Sequence, residues 1–312
     1  MSALLVIGLL HAYLVWYADI LVTYALCGAL VFLCRKWSVR TQIVAASVCI
    51  AVPVLLYGVM ALTVSQWPAH VYADSMTSWA PGGDLIAQEL AAYRGGWLGQ
   101  IRTRAAEALA LQGPYLLLES GWRAFALMLL GMALFRLNVL SAERKSKVYI
   151  MMFAVGLSVG VPLAVFGVIV NFAWNWHMDF SMFLGRSFNY VGSIGTALAY
   201  LAGIMILCRS PLLERLKDRF AAVGQMALTN YLMQSVLCTC FFYGHGLGMF
   251  GKLERFELLY VLLVVWLIQL IASPLWLKYF RYGPAEWAWR GVTYMRWQPM
   301  RRLEPEPRRA HS

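Results

Sequence analysis

Charged side chains are scarce in this chain. Only 13% of its 312 residues are Asp, Glu, Lys or Arg, where a soluble domain carries roughly a quarter. That shortage excludes an ordinary soluble enzyme, because 61% of the chain is hydrophobic and mean hydropathy is +0.63. Acidic residues are the rarer sign, 15 against 26 basic, for a net charge of +11. An excess of this kind can mark a phosphate-binding surface, but its placement excludes nucleic acid. The basic residues cluster between apolar blocks at Arg35, Lys36 and Arg40, at Arg136, Arg144, Lys145 and Lys147, at Arg209, Arg215, Lys217 and Arg219, and from Lys278 to Arg309. They alternate with loops holding few basic residues, the positive-inside pattern of a membrane protein. The six cysteines have no C-x-x-C spacing and lie in or beside apolar blocks, which excludes a disulfide framework, and no metal-ligand cluster is spelled out. The opening MSALLVIGLLHAYLVWY has no basic n-region and no small-residue cleavage site. It is short for a spanning helix, which needs about twenty residues, so it is expected to be the second half of a helix begun upstream.

What is present is a series of apolar blocks. At about twenty residues per crossing they predict an all-α, polytopic membrane protein of about eight transmembrane helices, near 2–16, 18–34, 41–64, 114–135, 148–172, 188–208, 219–243 and 256–280. Placing the basic loops inside puts both termini in the cytoplasm. The expected organisation is three crossings in 1–64, an outer loop in 65–112 with interfacial helices, five crossings in 113–300 and a disordered tail in 301–312. In the outer loop Asp84 is an expected N-cap, and Ile86, Leu90, Tyr93, Trp97 and Ile101 form one apolar stripe interrupted by Gly95 and Gly96. The expected partners are the lipid bilayer itself and anionic lipids at the basic inner loops. Oligomeric state is not fixed by any of these features.

Polar groups at bilayer depth carry the functional argument, since they bond to neighbouring helices or line a wet path. In the seventh block Gln225, Thr229, Asn230, Gln234 and Ser235 wind around a continuous helix, so no orientation hides all of them from lipid. In the sixth, Arg186, Asn189, Ser193, Thr196 and Tyr200 form one stripe beside Gly192, Gly195, Ala199 and Gly203, which suits a tightly packed, cavity-lining helix. Glu119 and Arg123 in the fourth are spaced i, i+4 with the acid first, an expected ion pair. Gln269, Ser273 and Pro274 add a polar, kinked point in the eighth. Four of the five histidines fall on the outer side, and His11 with Asp19, His177 and His245 are the candidates for proton transfer, because imidazole titrates near neutrality.

Three strings resemble the YeiB family of bacterial inner-membrane proteins. They are GLLHAYLVWYADILVTYALCG, VGQMALTNYLMQSVLCTCFFYGHGLG and SPLWLKYFRYGPAEWAWRGVTY. Trp16, Asp19, Ile20, Leu21, Tyr24 and Ala25 match the first motif, with Ala18 in place of its usual Gly. Gly224, Met226 to Tyr231, Leu232, Gln234 and Ser235 match the second, and Phe280, Gly283, Pro284, Glu286, Trp287, Trp289 and Arg290 the third. Family members usually begin with further helices bearing an L-D-x-x-R-G signature, and this chain has none. The resemblance implies a bacterial inner-membrane location but no settled activity. It implies a distant likeness to membrane acyltransferases, including the type that acetylates glucosamine of heparan from acetyl-CoA across a membrane. In those enzymes the reactive histidine lies in the early helices, and its role is not carried over to His11. Three readings stay open: acyl transfer with acyl-CoA as donor, a small-molecule transporter or channel using the polar path, and a non-catalytic scaffold or truncated remnant.

Overall fold

The computed structural model describes residues 1–302. Most of the tail expected to be disordered, 303–312, lies outside the described residues. The chain is all-α, with helices α1 (Ser2–Leu14), α2 (Leu21–Leu33), α3 (Val39–Thr63), α4 (Ala69–Trp79), α5 (Gly83–Arg94), α6 (Ile101–Ala110), α7 (Gly121–Arg136) and α8 (Ser146–Ala173). The single turn α9 (Met178–Phe180) leads on to α10 (Arg186–Arg209), α11 (Glu214–Gln225), α12 (Ala227–Phe242), α13 (Glu257–Tyr279) and α14 (Pro284–Tyr294). Two π-helical stretches, Leu111–Ser120 and Ser181–Gly185, join α6 to α7 and α9 to α10.

Among the described residues, five continuous helices are long and apolar enough to cross a bilayer: Val39–Gln66, Ile101–Arg136, Ser146–Ala173, Met178–Arg209 and Glu257–Tyr279. At most 28% of their apolar windows is buried inside the protein. Faces such as Ile150, Val155, Val159 and Ile169 of α8 stay exposed, which is stable only in lipid. This is a membrane protein. The expected eight crossings need α1, α2 and α12 as well, at 13, 13 and 16 residues.

Two compact units divide the chain. The first comprises Met1, Ile20–Glu89 and Ala106–Leu212. Its tightest packing joins α8 to α10 through the small residues read from the sequence. A methyl carbon built on Gly160 would come within 2.5 Å of the Thr196 amide nitrogen, and one on Gly195 within 3.1 Å of the Gly160 Cα, so backbones approach as only small residues allow. Helix α3 packs on α7 through Ala46, Cys49, Ala126 and Leu129. Toward the expected outer end, Tyr57, Val64, Met178 and Phe183 form a second cluster. Asp84, expected to cap α5, lies one residue inside that helix, where its charge still faces the positive end of the dipole.

The second unit comprises Ser2–Asp19, Leu90–Ala105 and Leu213–Ser312. Helix α11 is amphipathic and buries no residue completely, as expected of a helix lying at an interface. Gly95 and Gly96 fall where expected, in the break between α5 and α6.

Candidate functional site

The seventh block is not one helix. It breaks at Met226 (φ −110°, ψ 31°), and the break explains most of its polar residues. A helix start leaves backbone N–H groups without partners, and here the carboxylate of Glu286 in α14 takes up two donors of Thr229. Its Oε1 accepts from the Thr229 backbone N–H at 2.9 Å and its Oε2 from the Thr229 hydroxyl at 2.5 Å. A negative charge at this end also suits the helix dipole. Pro284 starts α14 without an N–H to satisfy, and Gly283 leaves no side chain between the carboxylate and Thr229. Asn230 donates to the Val223 carbonyl at the end of α11 (3.1 Å) and to Ser273 (3.0 Å), while Gln269 donates to the Asn230 carbonyl (3.0 Å). Gln225 donates to the Arg281 carbonyl at 3.0 Å. The winding of these groups around a continuous helix, expected from the sequence, is therefore corrected: they mend a discontinuity.

The second unit also gathers His11, Asp19 and Tyr231. His11 is near the end of α1, Asp19 lies in the turn before α2, and Tyr231 is in the first turns of α12. The His11 Nδ1 lies 2.7 Å from Asp19 Oδ2, with the two side chains 2% and 0% exposed. The Tyr231 hydroxyl donates to the same oxygen at 3.0 Å, and its ring centroid is 5.1 Å from that of His11. A carboxylate only accepts, so Nδ1 carries a proton, and in the neutral imidazole Nε2 then presents its lone pair. That Nε2 is buried without a hydrogen-bond partner.

The segment after α5 holds this end of α1. The Trp97 indole donates to the Leu14 carbonyl (2.8 Å) and Arg104 Nε to the Tyr13 carbonyl (2.9 Å), which satisfies orphan carbonyls at the helix end with a cation on the negative pole of its dipole. Arg104 is completely buried, and its two terminal nitrogens have no partner. Gln100 closes the loop by donating to the Tyr93 and Gly95 carbonyls (3.0 and 2.8 Å). The Tyr93 carbonyl also accepts from the Gly244 N–H at 2.9 Å, an approach that leaves no room for a side chain at Gly244. His245, next in the chain, is exposed, and partial desolvation followed by the charge of Arg104 presses its imidazole below the ordinary value. A cavity of about 570 Å³ lies in the same unit, with Trp16, Tyr17, Gln234, Ser235 and Thr239 among its lining residues.

The first unit holds an independent polar cluster. Glu119, buried in the longer π-helical stretch, accepts from Arg186 (2.6 Å), the Tyr57 hydroxyl (2.5 Å) and the Tyr115 hydroxyl (3.0 Å). Arg123 instead donates to Ser193 (2.8 Å) and lies over the Tyr190 ring. The expected i, i+4 pair of Glu119 with Arg123 is not formed. Glu119 turns instead to Arg186 of α10, and Arg123 to Ser193 of the same helix. The one carboxylate thus pairs with only one of the two guanidinium groups.

The remaining sequence candidates are scattered. Thr196 bonds back to the Gly192 carbonyl of its own helix (3.1 Å), and Asn189 and Tyr200 are not buried, Tyr200 being 65% exposed. Gln234 lines the cavity and accepts from Gln269 at 3.4 Å. His177 is an exposed imidazole 3.7 Å from Asp179, whose other oxygen accepts from Tyr72. That bond is the main reason the Tyr72 phenol is raised above its ordinary value. Sequence reading missed Tyr231 and Glu286 as functional side chains although both stand in motifs, and it gave Tyr57, Tyr115 and Arg104 no role.

Residues 134–296 match a family described as a protein of unknown function, DUF418. The chain is 31% identical over 305 residues to the uncharacterized protein YeiB of Escherichia coli K12, a match covering 94% of this chain and 74% of that one. It belongs to the DUF418 family. The uncharacterized protein YxaH of Bacillus subtilis 168 is 28% identical over 304 residues, 96% of this chain and 72% of its own. No solved structure matches the chain. The DUF418 match includes both sides of the Thr229–Glu286 grip, and the YeiB resemblance read from the sequence holds. None of these descriptions carries an activity, and none shows the likeness to membrane acyltransferases.

Proposed function

We propose that this DUF418 protein is a multi-pass inner-membrane acyltransferase in which His11 is the general base. The supporting observation is the buried His11–Asp19–Tyr231 arrangement with Nε2 left free. In this reading α1, α2 and α12 complete eight crossings, both termini are cytoplasmic, the 65–112 segment lies along the outer surface, and anionic lipids meet the basic inner loops. His11 Nε2 takes the proton of an acceptor hydroxyl or amine as that atom attacks the carbonyl carbon of the acyl donor. The carbon–sulfur bond of an acyl-CoA donor then breaks, and Nε2 returns the proton to the departing thiolate. Asp19 holds the tautomer and stabilises the imidazolium, and Tyr231 is a positioning residue that fixes the carboxylate. Nε2 is sealed in this conformation, so the acceptor reaches it only when the surrounding side chains part.

Transport is the second reading, supported by the excess guanidinium charge beside Glu119 in the first unit. Purified protein in vesicles loaded with radiolabelled acetyl-CoA separates the two. Label is expected on an added extract of extracytoplasmic acceptors, falling by about 10²–10⁴-fold in His11→Asn. The acyl-transfer reading is overturned by no saturable acyl-CoA binding and no label transfer, or by full transfer in His11→Asn. Solute uptake without transfer would establish transport instead.

A further inference from the structure

The cavity of the second unit is a separate observation from the base beside it. Its volume, about 570 Å³, is that of a small-molecule site. Phe242, Met249, Phe250, Leu262, Val265 and Trp266 supply much of its wall. Its hydroxyls on α12 are engaged by backbone, Ser235 donating to the Tyr231 carbonyl and Thr239 to the Val236 carbonyl, and the Gln234 side-chain carbonyl accepts from Gln269. Such a wall asks for few hydrogen bonds from an occupant, and a ligand rich in donors would lose its hydration without replacement. Three lining residues of α13, Leu258, Leu262 and Trp266, follow one another at i, i+4 and i+8 and are 43%, 42% and 53% exposed. Helix α13 is long and apolar enough to cross a bilayer, so these residues tie the cavity wall to a helix that stands in hydrocarbon.

We infer that the cavity holds the aliphatic chain of a membrane amphiphile, admitted sideways past α13. Trp16 and Tyr17 line it three and two residues before Asp19, and Gln234 and Ser235 do so three and four residues after Tyr231. The wall is thus built from the chain segments that carry the triad. Resting on the acyl-transfer reading, this makes the substrate a long-chain amphiphile of the membrane and not a small soluble solute. Occupancy of the cavity itself does not require that any transfer takes place.

The probe is a long-chain fatty acid with a terminal diazirine and an alkyne tag, photolysed with the full chain in phosphatidylcholine vesicles. Adducts are expected on 234–266, competed by unlabelled long-chain fatty acid. Leu262→Trp and Val265→Trp, which fill the cavity, are expected to lower labelling by about tenfold, the effect of excluding roughly two methylenes. Val159→Trp, on the exposed face of α8, leaves it unchanged. Unfolding midpoints near wild type show that the filled variants fold, and Ser235→Phe fills the space from α12 if either does not. Uniform, uncompeted labelling of every lipid-facing helix, or full labelling of folded filled variants, overturns the inference. His11→Asn separates it from the catalytic reading: that variant keeps the labelling while losing transfer. Labelling without transfer in the wild type sinks the catalytic reading alone, and transfer without labelling sinks this one.

Discussion

Replacing Glu119 by Gln tests the pairing of this buried carboxylate directly. The carboxylate accepts three hydrogen bonds, from Arg186 at 2.6 Å, Tyr57 at 2.5 Å and Tyr115 at 3.0 Å. The substituted amide keeps the shape but loses the charge and turns one acceptor into a donor facing donors. A hydrogen bond to a charged group contributes about 1.5–3 kcal/mol, and because the Arg186 side chain is 38% exposed, solvent screening reduces that bond to about 1–2 kcal/mol. Each tyrosine hydroxyl left without its acceptor adds about 1 kcal/mol. The expected destabilisation is about 3–4 kcal/mol, a fall of roughly 6–16 °C in melting temperature for a unit of this size. The assay is thermal unfolding in mild detergent, run as two double-mutant cycles. Glu119→Gln with Arg186→Gln should show about 1–2 kcal/mol of coupling. Glu119→Gln with Arg123→Gln should show much less, because Arg123 bonds Ser193 instead. Stronger coupling to Arg123 than to Arg186 would mean that Glu119 pairs along its own helix and would refute the reasoning.

Glu286→Ala removes the cap on α12 and is expected to lower stability by about 2 kcal/mol, with Glu286→Gln losing less; chemical denaturation checks both, and an Ala variant as stable as wild type would show that the break does not depend on the carboxylate. Gly160→Leu forces α8 and α10 apart, since even a methyl carbon there would meet the Thr196 nitrogen and Gly192 carbonyl at 2.5 and 2.7 Å. Overpacking of this kind costs about 1–3 kcal/mol, whereas Gly58→Leu, with open space around it, should be near neutral in the same unfolding measurement. His245 should titrate below its ordinary value in a histidine NMR titration, because desolvation and Arg104 both disfavour its charged form. The folded protein then binds this proton less readily than the unfolded chain. The contribution to stability is complete above the unfolded value and is lost as pH falls through the folded one; a titration above the ordinary value would contradict the placement of Arg104.

The long helices were legible because apolar length is a strong and local signal. The third and fifth blocks, read as 41–64 and 148–172, appear as Val39–Thr63 and Ser146–Ala173. The small-residue stripe of α10 was legible for a similar reason, since Gly192, Gly195 and Ala199 recur at helical spacing. What escaped depended on residues far away in the chain. Nothing local in GQMALTNY announces a break, because the carboxylate that caps α12 is Glu286, 57 residues from Thr229. The π-helical stretch around Glu119 is equally silent, and the i, i+4 argument met the wrong arginine because Glu119 is claimed by Arg186, far along the chain. His11 and Asp19 could be paired by proximity in sequence, but Tyr231, 212 residues from Asp19, could not.

The distribution of unsatisfied polar atoms decides where function is sought. The polar run of α12 first suggested a path, yet Thr229, Asn230, Gln269 and Ser273 exchange their hydrogen bonds with one another, with Glu286 or with backbone. Groups satisfied in this way hold a discontinuous helix together and ask for nothing further. Among the described residues, buried atoms without partners occur singly at Asn171, Ser181, Tyr190 and Trp289 and as a pair on Gln42, but four gather at the end of α1 and the segment that clamps it: His11 Nε2, Gln100 Oε1 and both terminal nitrogens of Arg104. A buried guanidinium that meets one carbonyl and the Trp97 ring but no carboxylate among the described residues is among the costlier features a fold can keep, and an orphaned imidazole nitrogen adds to it. Such groups cluster where a conformational opening or a ligand later supplies the missing partners. The chemistry is therefore sought with His11 and not along α12, and the polar sequence motif of α12 acts on it through Tyr231, whose hydroxyl reaches Asp19.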